Sequence, residues 1–249
     1  MINVRGFHKH YRGTPAVTGL SFQVGPGQVL GLVGPNGAGK TTTLRAIAGI
    51  IPPTEGVLEV GGYDVQTDPL PAKLALAYVP DDPALFGSLT VFEHLLFSAS
   101  AYAVNGYAEK AERLLHEFEI DDKRDKLAQE VSRGVRQKVA ICAAYMHDAQ
   151  AILFDEPMTG LDPHGIRVMK DSIRTQASRG ASVVISSHLL TLIEDLCTHL
   201  LVLDKGRCLF NGSMEDARAV AVADGRDATL EEAFLRIVGD SSVTTAGPG

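Results

Sequence analysis

The sequence predicts an α/β protein, a parallel core sheet with a helical lobe spliced into its middle. Three observations predict it. Short apolar runs, VLGLV, AILFD, SVVISS and LLVLD, read as strands buried in a sheet. Strand and helix alternate along the chain, the pattern of parallel strands joined by helical crossovers. From about residue 87 to 147 the strand signal gives way to helical periodicity alone.

Taken in order, residues 2–5 and 17–24 (VTGLSFQV) read as short strands, and 29–33 (VLGLV) as a buried one between Gly27 and Gly34. KTTTLRAIAGI places Leu44, Ile47 and Ala48 on one helical face, and Gly49, Pro52 and Pro53 end that helix. VLEVGGYDV at 57–65 is strand-like about a Gly-Gly turn. YVPDDP at 78–83 sets Asp81 and Asp82 between two prolines, as metal ligands, a stiffened turn or the edge of a partner surface. Helical segments follow near 91–104, 108–119 and 133–147. Then come AILFD, a helix near 163–179, SVVISS, a helix near 188–197, and the strands LLVLD and RCLF around Lys205 and Gly206.

These elements predict one domain over 1–240. Residues 1–86 and 148–224 form its core, 87–147 a helical subdomain, and 225–239 a C-terminal amphipathic helix. SSVTTAGPG at 241–249 has no apolar side chains able to pack and is expected to be a disordered tail.

Composition narrows the function. An apolar share of 45%, a charged share of 21% and 25 glycines belong to an ordinary globular α/β chain rich in tight turns. A net charge of -7 argues against a general nucleic-acid binder, which needs a basic surface to displace counterions. Cys142, Cys197 and Cys208 are odd in number and form no CxxC pair, which suits neither a disulfide framework nor a zinc site and points to a reducing cytosol. No window approaches the roughly 18 uninterrupted apolar residues of a membrane span, and the first residues have no signal-peptide core.

The strongest motif is GPNGAGKT at 34–41, which fits G-x-x-x-x-G-K-[ST], follows a strand and opens a helix. Its alternative is a glycine-rich turn, and the strand-to-helix context decides for phosphate. The loop Gly34, Pro35, Asn36, Gly37, Ala38, Gly39 turns backbone N–H groups toward an anion, and the helix start at Lys40, Thr41 and Thr42 adds positive potential. Lys40 reaches the β/γ oxygens and the Thr41 hydroxyl can hold Mg²⁺. AILFDEP at 151–157 ends a strand in two carboxylates, either a solvated acidic turn or, beside the loop, a metal-side Asp155 and a water-polarising Glu156. Asp162 is placed to cap the next helix ahead of Pro163, and His188 ends SVVISSH where a hydrogen bond to a γ-phosphate is within reach.

P-loop, helical lobe, DEP, GLD and strand-terminal His, in that order, resemble the ATP-binding subunit of an ABC transporter over nearly the whole chain. The resemblance implies a P-loop NTPase core with an N-terminal antiparallel β subdomain and an inserted α-helical subdomain. The family signature, usually LSGGQ, is matched by VSRGVRQKVA at 131–140. Ser132 and Gly134 stand, while Val131, Arg133 and Val135 replace Leu, Gly and Gln. By itself the stretch is equally a Ser-capped amphipathic helix; its place in the ordered set decides for function. The resemblance further implies that Tyr11 stacks on adenine, Asp155 faces the metal, Glu156 is catalytic, Asp162 crosses a dimer interface and His188 is the switch histidine. Where the family usually has Gln after YVP, Asp81 keeps an oxygen ligand and gains a charge. A direct or water-mediated Mg²⁺ contact there stands against a purely structural turn.

The same likeness implies ATP and Mg²⁺ as cofactors and hydrolysis in a head-to-tail dimer, a homodimer in the simplest case. It also implies a separate transmembrane permease subunit and a place on the cytoplasmic face of the cell membrane, held peripherally through that permease. The C-terminal helix and the SRGVRQK form of the signature resemble exporter subunits that pair with small permeases. An importer subunit is the alternative. A soluble ATPase acting on nucleic acid or ribosomes is disfavoured by the single cassette, the absence of a long heptad region and the negative charge.

Overall fold

The computed structural model describes residues 1–188, 190–221, 230–232, 234, 236 and 237. Two sheets organise them. Strands β1 (Ile2–Tyr11), β2 (Thr14–Val24), β4 (Glu55–Val60) and β5 (Tyr63–Asp64) form an antiparallel sheet of order β2-β1-β4-β5. Strands β3 (Val29–Val33), β6 (Leu76–Val79), β7 (Ala151–Asp155), β8 (Ser182–Ser187), β9 (His199–Asp204) and β10 (Arg207–Ser213) form the second, of order β10-β9-β3-β8-β7-β6. It is parallel except for the β9/β10 hairpin at one edge.

The parallel sheet divides the core in two because successive side chains on a strand point to opposite faces. Leu30 and Leu32 of β3, Leu153 of β7 and Val184 of β8 pack on one face with the antiparallel sheet. Helix α1 (Lys40–Ile47) joins them through Leu44 and Ile47. Val29, Val33, Ile152, Phe154, Val183 and Ile185 fill the other face. Helix α5 (Arg133–Tyr145) and α6 (Pro163–Ser178) cover it with Val139, Tyr145, Met169 and Ile173. Covered on both sides, these strands read as continuous apolar runs.

The chain leaves the sheet after Val79 and returns at Ala151 on the neighbouring strand. Between them lie α3 (Val91–Ala101), α4 (Tyr107–Glu117) and α5. Thr90 and Glu93 close a capping box that starts α3.

Several elements differ from the sequence reading. Strands β1 and β2 run longer than 2–5 and 17–24, because register shifts after Val4, Phe7 and Lys9 break the period-two pattern. The short strand β6 and the helices α2 (Pro69–Leu74) and α8 (Met214–Ala221) were not expected. The helix expected over 188–197 is α7, Leu190–Glu194. Of the C-terminal helix expected over 225–239, the described residues are helical. Leu230 and Ile237 are buried and Phe234 packs on the same core. The rest of that segment, and the tail at 241–249, lie outside the described residues. No helix among the described residues is long and apolar enough to cross a membrane.

Candidate functional site

The glycine-rich loop leaves β3 at Gly34. Its φ of 154° and the closeness of the Leu203 carbonyl oxygen on β9 leave no room for a Cβ. Pro35, Asn36 and Gly37 are exposed at the crest, Ala38 is buried, and Gly39 (φ 105°) leads into α1. Lys40 is only 8% exposed. Its Nζ donates to the Gly34 carbonyl at 2.6 Å and the Pro35 carbonyl at 3.3 Å, so the ammonium is folded over its own loop. Burial pushes its pKa down, against the opposing pull of the Glu156 and Asp155 carboxylates.

Those carboxylates arrive at the end of β7. Asp155 is 3% exposed. Its Oδ1 accepts from Thr41 Oγ1 at 3.2 Å and from Ser186 Oγ at 2.6 Å, while Oδ2 accepts from the Tyr78 hydroxyl at 3.5 Å. Glu156 turns the chain with φ 49°, a left-handed conformation rare for a residue with a side chain. Glu156 Oε2 stands 2.9 Å from His188 Nδ1, which follows the end of β8. Parallel pairing of β7 with β8 and of β8 with β3 brings these strand ends to the same edge as the loop.

Tyr11 ends β1, 45% exposed, with the Lys9 ammonium 5.1 Å from its ring centroid. It pairs with Thr14, and the Ala16 carbonyl just beyond faces Gly39, so this hairpin flanks the loop. Thr42 is part-buried on the first turn of α1.

The signature stretch forms a second focus. Ser132 caps α5, its Oγ accepting the Val135 N–H at 3.4 Å. Asp162 caps α6, Oδ1 accepting the Gly165 N–H at 2.6 Å. A Cβ on Gly134 would stand 2.7 Å from the Gly160 carbonyl oxygen, so the start of α5 rests directly on the loop after β7. Arg133 lies along Gly160 and donates to Asp81 Oδ1 at 3.2 Å. Sequence reading missed Ser186, Tyr78 and the Asp81–Arg133 pair. Ser186 and Ser187 did carry a signal, two hydroxyls ending an otherwise apolar run.

Among the described residues no group of three or more His, Cys, Asp or Glu is arranged to hold a metal. The oxygens of Thr41 and Asp155 suit Mg²⁺, which takes few protein ligands and completes its shell with nucleotide phosphates and water.

The family model described as ABC transporter matches residues 17–159. The ABC-type transporter ATP-binding protein EcsA of Bacillus subtilis is 31% identical over 239 residues, 95% of this chain and 96% of EcsA. A Nod factor export ATP-binding protein I of Burkholderia pseudomallei is 34% identical over 214 residues, 85% of this chain and 70% of its own. A solved ATP-binding subunit of an ABC transporter superposes with TM-score 0.89 at 31% identity, covering 96% of this chain and 99% of that one.

Proposed function

The chain belongs to the ABC transporter family as an ATP-binding subunit and ATPase, and from that premise we propose that it hydrolyses ATP in a head-to-tail dimer to drive export through a separate membrane permease. The observation that carries the catalytic part is the junction of Thr41, Asp155, Glu156 and His188 beside the glycine-rich loop.

In this reading the loop from Gly34 to Gly39 and Lys40 hold the β- and γ-phosphates, Thr42 supports the helix start, and Tyr11 lies under the adenine. Thr41 and Asp155 hold Mg²⁺, which when bound offsets phosphate charge. Glu156 accepts a proton from the attacking water, and His188 fixes the carboxylate while facing the γ-phosphate. Ser132 and Gly134 serve the partner subunit's nucleotide. Ser132 and Arg133 are exposed at the start of α5, where an anion from outside can approach. Asp162 supports that face through its cap. Asp81, read from sequence as a metal contact, a stiffened turn or the edge of a partner surface, pairs with Arg133. This supports a role at the joint between core and lobe more than in the metal shell.

Export rests on the relative named for Nod factor export and on the exporter-like signature. A separate permease accounts for transport by a chain whose described helices do not cross a membrane, and it sets the peripheral place on the cytoplasmic face. A groove between core and lobe, lined by Pro83, Leu85, Tyr102 and Ala144 with Phe86 exposed nearby, suits an apolar segment of that partner.

The test is Glu156→Gln. The expected outcome is retained ATP binding, turnover lowered by about 10²–10⁴-fold as for loss of a general base, and an ATP-dependent dimer on size-exclusion chromatography. Near-normal turnover would remove Glu156 from the catalytic role.

A further inference from the structure

We propose that Ser186 is a positioning residue that ties the metal-side Asp155 and the catalytic Glu156 into one unit. The residue is wholly buried, on β8 directly opposite Asp155 in the parallel ladder. Its hydroxyl lies 2.6 Å from Asp155 Oδ1 and 3.2 Å from the backbone N of Glu156. Polarity fixes both roles. An ionised carboxylate only accepts, so the hydroxyl donates to Asp155; a backbone N–H only donates, so the hydroxyl accepts from Glu156. One side chain thereby reads the position of both acidic residues.

The backbone explains why Glu156 needs this hold. A left-handed residue carrying a Cβ is strained, and such conformations persist where their surroundings over-determine them. Here the Glu156 N–H is shared between the Ser186 hydroxyl and the Ser186 carbonyl, at 3.2 and 3.1 Å. The Glu156 carbonyl accepts from the Thr159 N–H at 3.1 Å, closing the turn. That turn carries Glu156 off the strand direction and onto His188.

Asp155 depends on Ser186 just as directly. Without the hydroxyl, Oδ1 keeps Thr41 at 3.2 Å and Oδ2 keeps Tyr78 at 3.5 Å, both longer than the 2.6 Å bond removed. The carboxylate then has no short bond fixing its rotation, and the geometry offered to Mg²⁺ loosens. Buried side chains that hold a ligating or reacting group typically change activity about 10- to 100-fold when removed.

The inference rests on the catalytic reading of Glu156, so Glu156→Gln is run beside it. Ser186→Ala is expected to lower kcat about 10- to 100-fold, a larger factor than the accompanying rise in KM for ATP. ADP affinity without Mg²⁺ should stay as in the parent chain, while the added affinity that Mg²⁺ confers should shrink. Hydrogen exchange at the Glu156 amide should accelerate. Ser186→Cys keeps the bulk, weakens the donor and should move the same way, whereas Ser186→Thr should restore kcat. Parent-like kcat and Glu156 amide protection in both Ser186→Ala and Ser186→Cys would overturn the proposal. So would a parallel fall of kcat, nucleotide affinity and Tm that Ser186→Thr does not rescue. Normal turnover in Glu156→Gln would instead overturn the catalytic reading, and the amide exchange would still report whether Ser186 holds the turn.

Discussion

The glycine-rich loop with its acidic strand and the signature with its lobe are built by opposite means. At the first, Lys40, Asp155 and Ser186 are buried; Lys40 donates to its own loop at Gly34 and Ser186 donates to Asp155, both at 2.6 Å. At the second, two helix caps and one ion pair, with Arg133 and Asp81 side chains 47% and 49% exposed, hold the surface together. Buried polar groups are costly unless fully paired, so the first region admits one arrangement. Exposed pairs are weak and easily exchanged, so the second can adjust when an anion or a partner arrives. The proposed head-to-tail dimer would use this division, with one half of the shared site preformed and the other held only at its surface.

Gly34→Ala should break the comparison most severely. Its new Cβ meets a backbone carbonyl of β9 that cannot step aside. We expect a loss of about 3 kcal/mol or more from overpacking and strain, read by denaturant unfolding, together with lost ATP binding. Gly134→Ala probes the other half at a gentler contact, 2.7 Å from the Gly160 oxygen. It should leave ATP binding by one subunit intact while cutting hydrolysis at least about tenfold, since a shift of about 1 Å in a reacting group is enough. Nucleotide titration and steady-state turnover on the same preparation check it. Equal loss of both activities would show that the two halves are not separable.

The smallest effect is expected at Asp81 and Arg133. A double-mutant cycle of Asp81→Ala and Arg133→Ala on chemical unfolding should give a coupling of about 0.2–1 kcal/mol, shrinking as salt is raised. In turnover assays Asp81→Ala should leave the Mg²⁺ dependence near that of the parent chain. A raised Mg²⁺ requirement with no coupling to Arg133 would return Asp81 to the metal shell.

Much of this was legible in the sequence because the informative patterns are local. GPNGAGKT is contiguous, its strand and helix flank it directly, and Ser132 and Asp162 sit where helix caps must. The helical lobe showed as a change of period. Less legible was the edge strand β6, four residues that run from just after a proline-bearing helix into Tyr78 and Val79 of YVPDDP, too short to display a period. The bulges in β1 likewise hid a strand whose alternation resets after Phe7. The Asp81–Arg133 pair spans 52 positions and answers two departures from the family pattern at once, a coincidence visible only when both side chains share a place.

By itself the sequence determined the family, the sheet core and the residue types of the site, because a phosphate-binding turn and a buried strand impose their own short patterns. Tertiary structure alone decided how the acidic residues are held. Thr41 meets Asp155 across 114 positions and Ser186 meets it across 31. Contacts at such separations follow from strand order in the parallel sheet, and strand order is set by packing the two faces of the core.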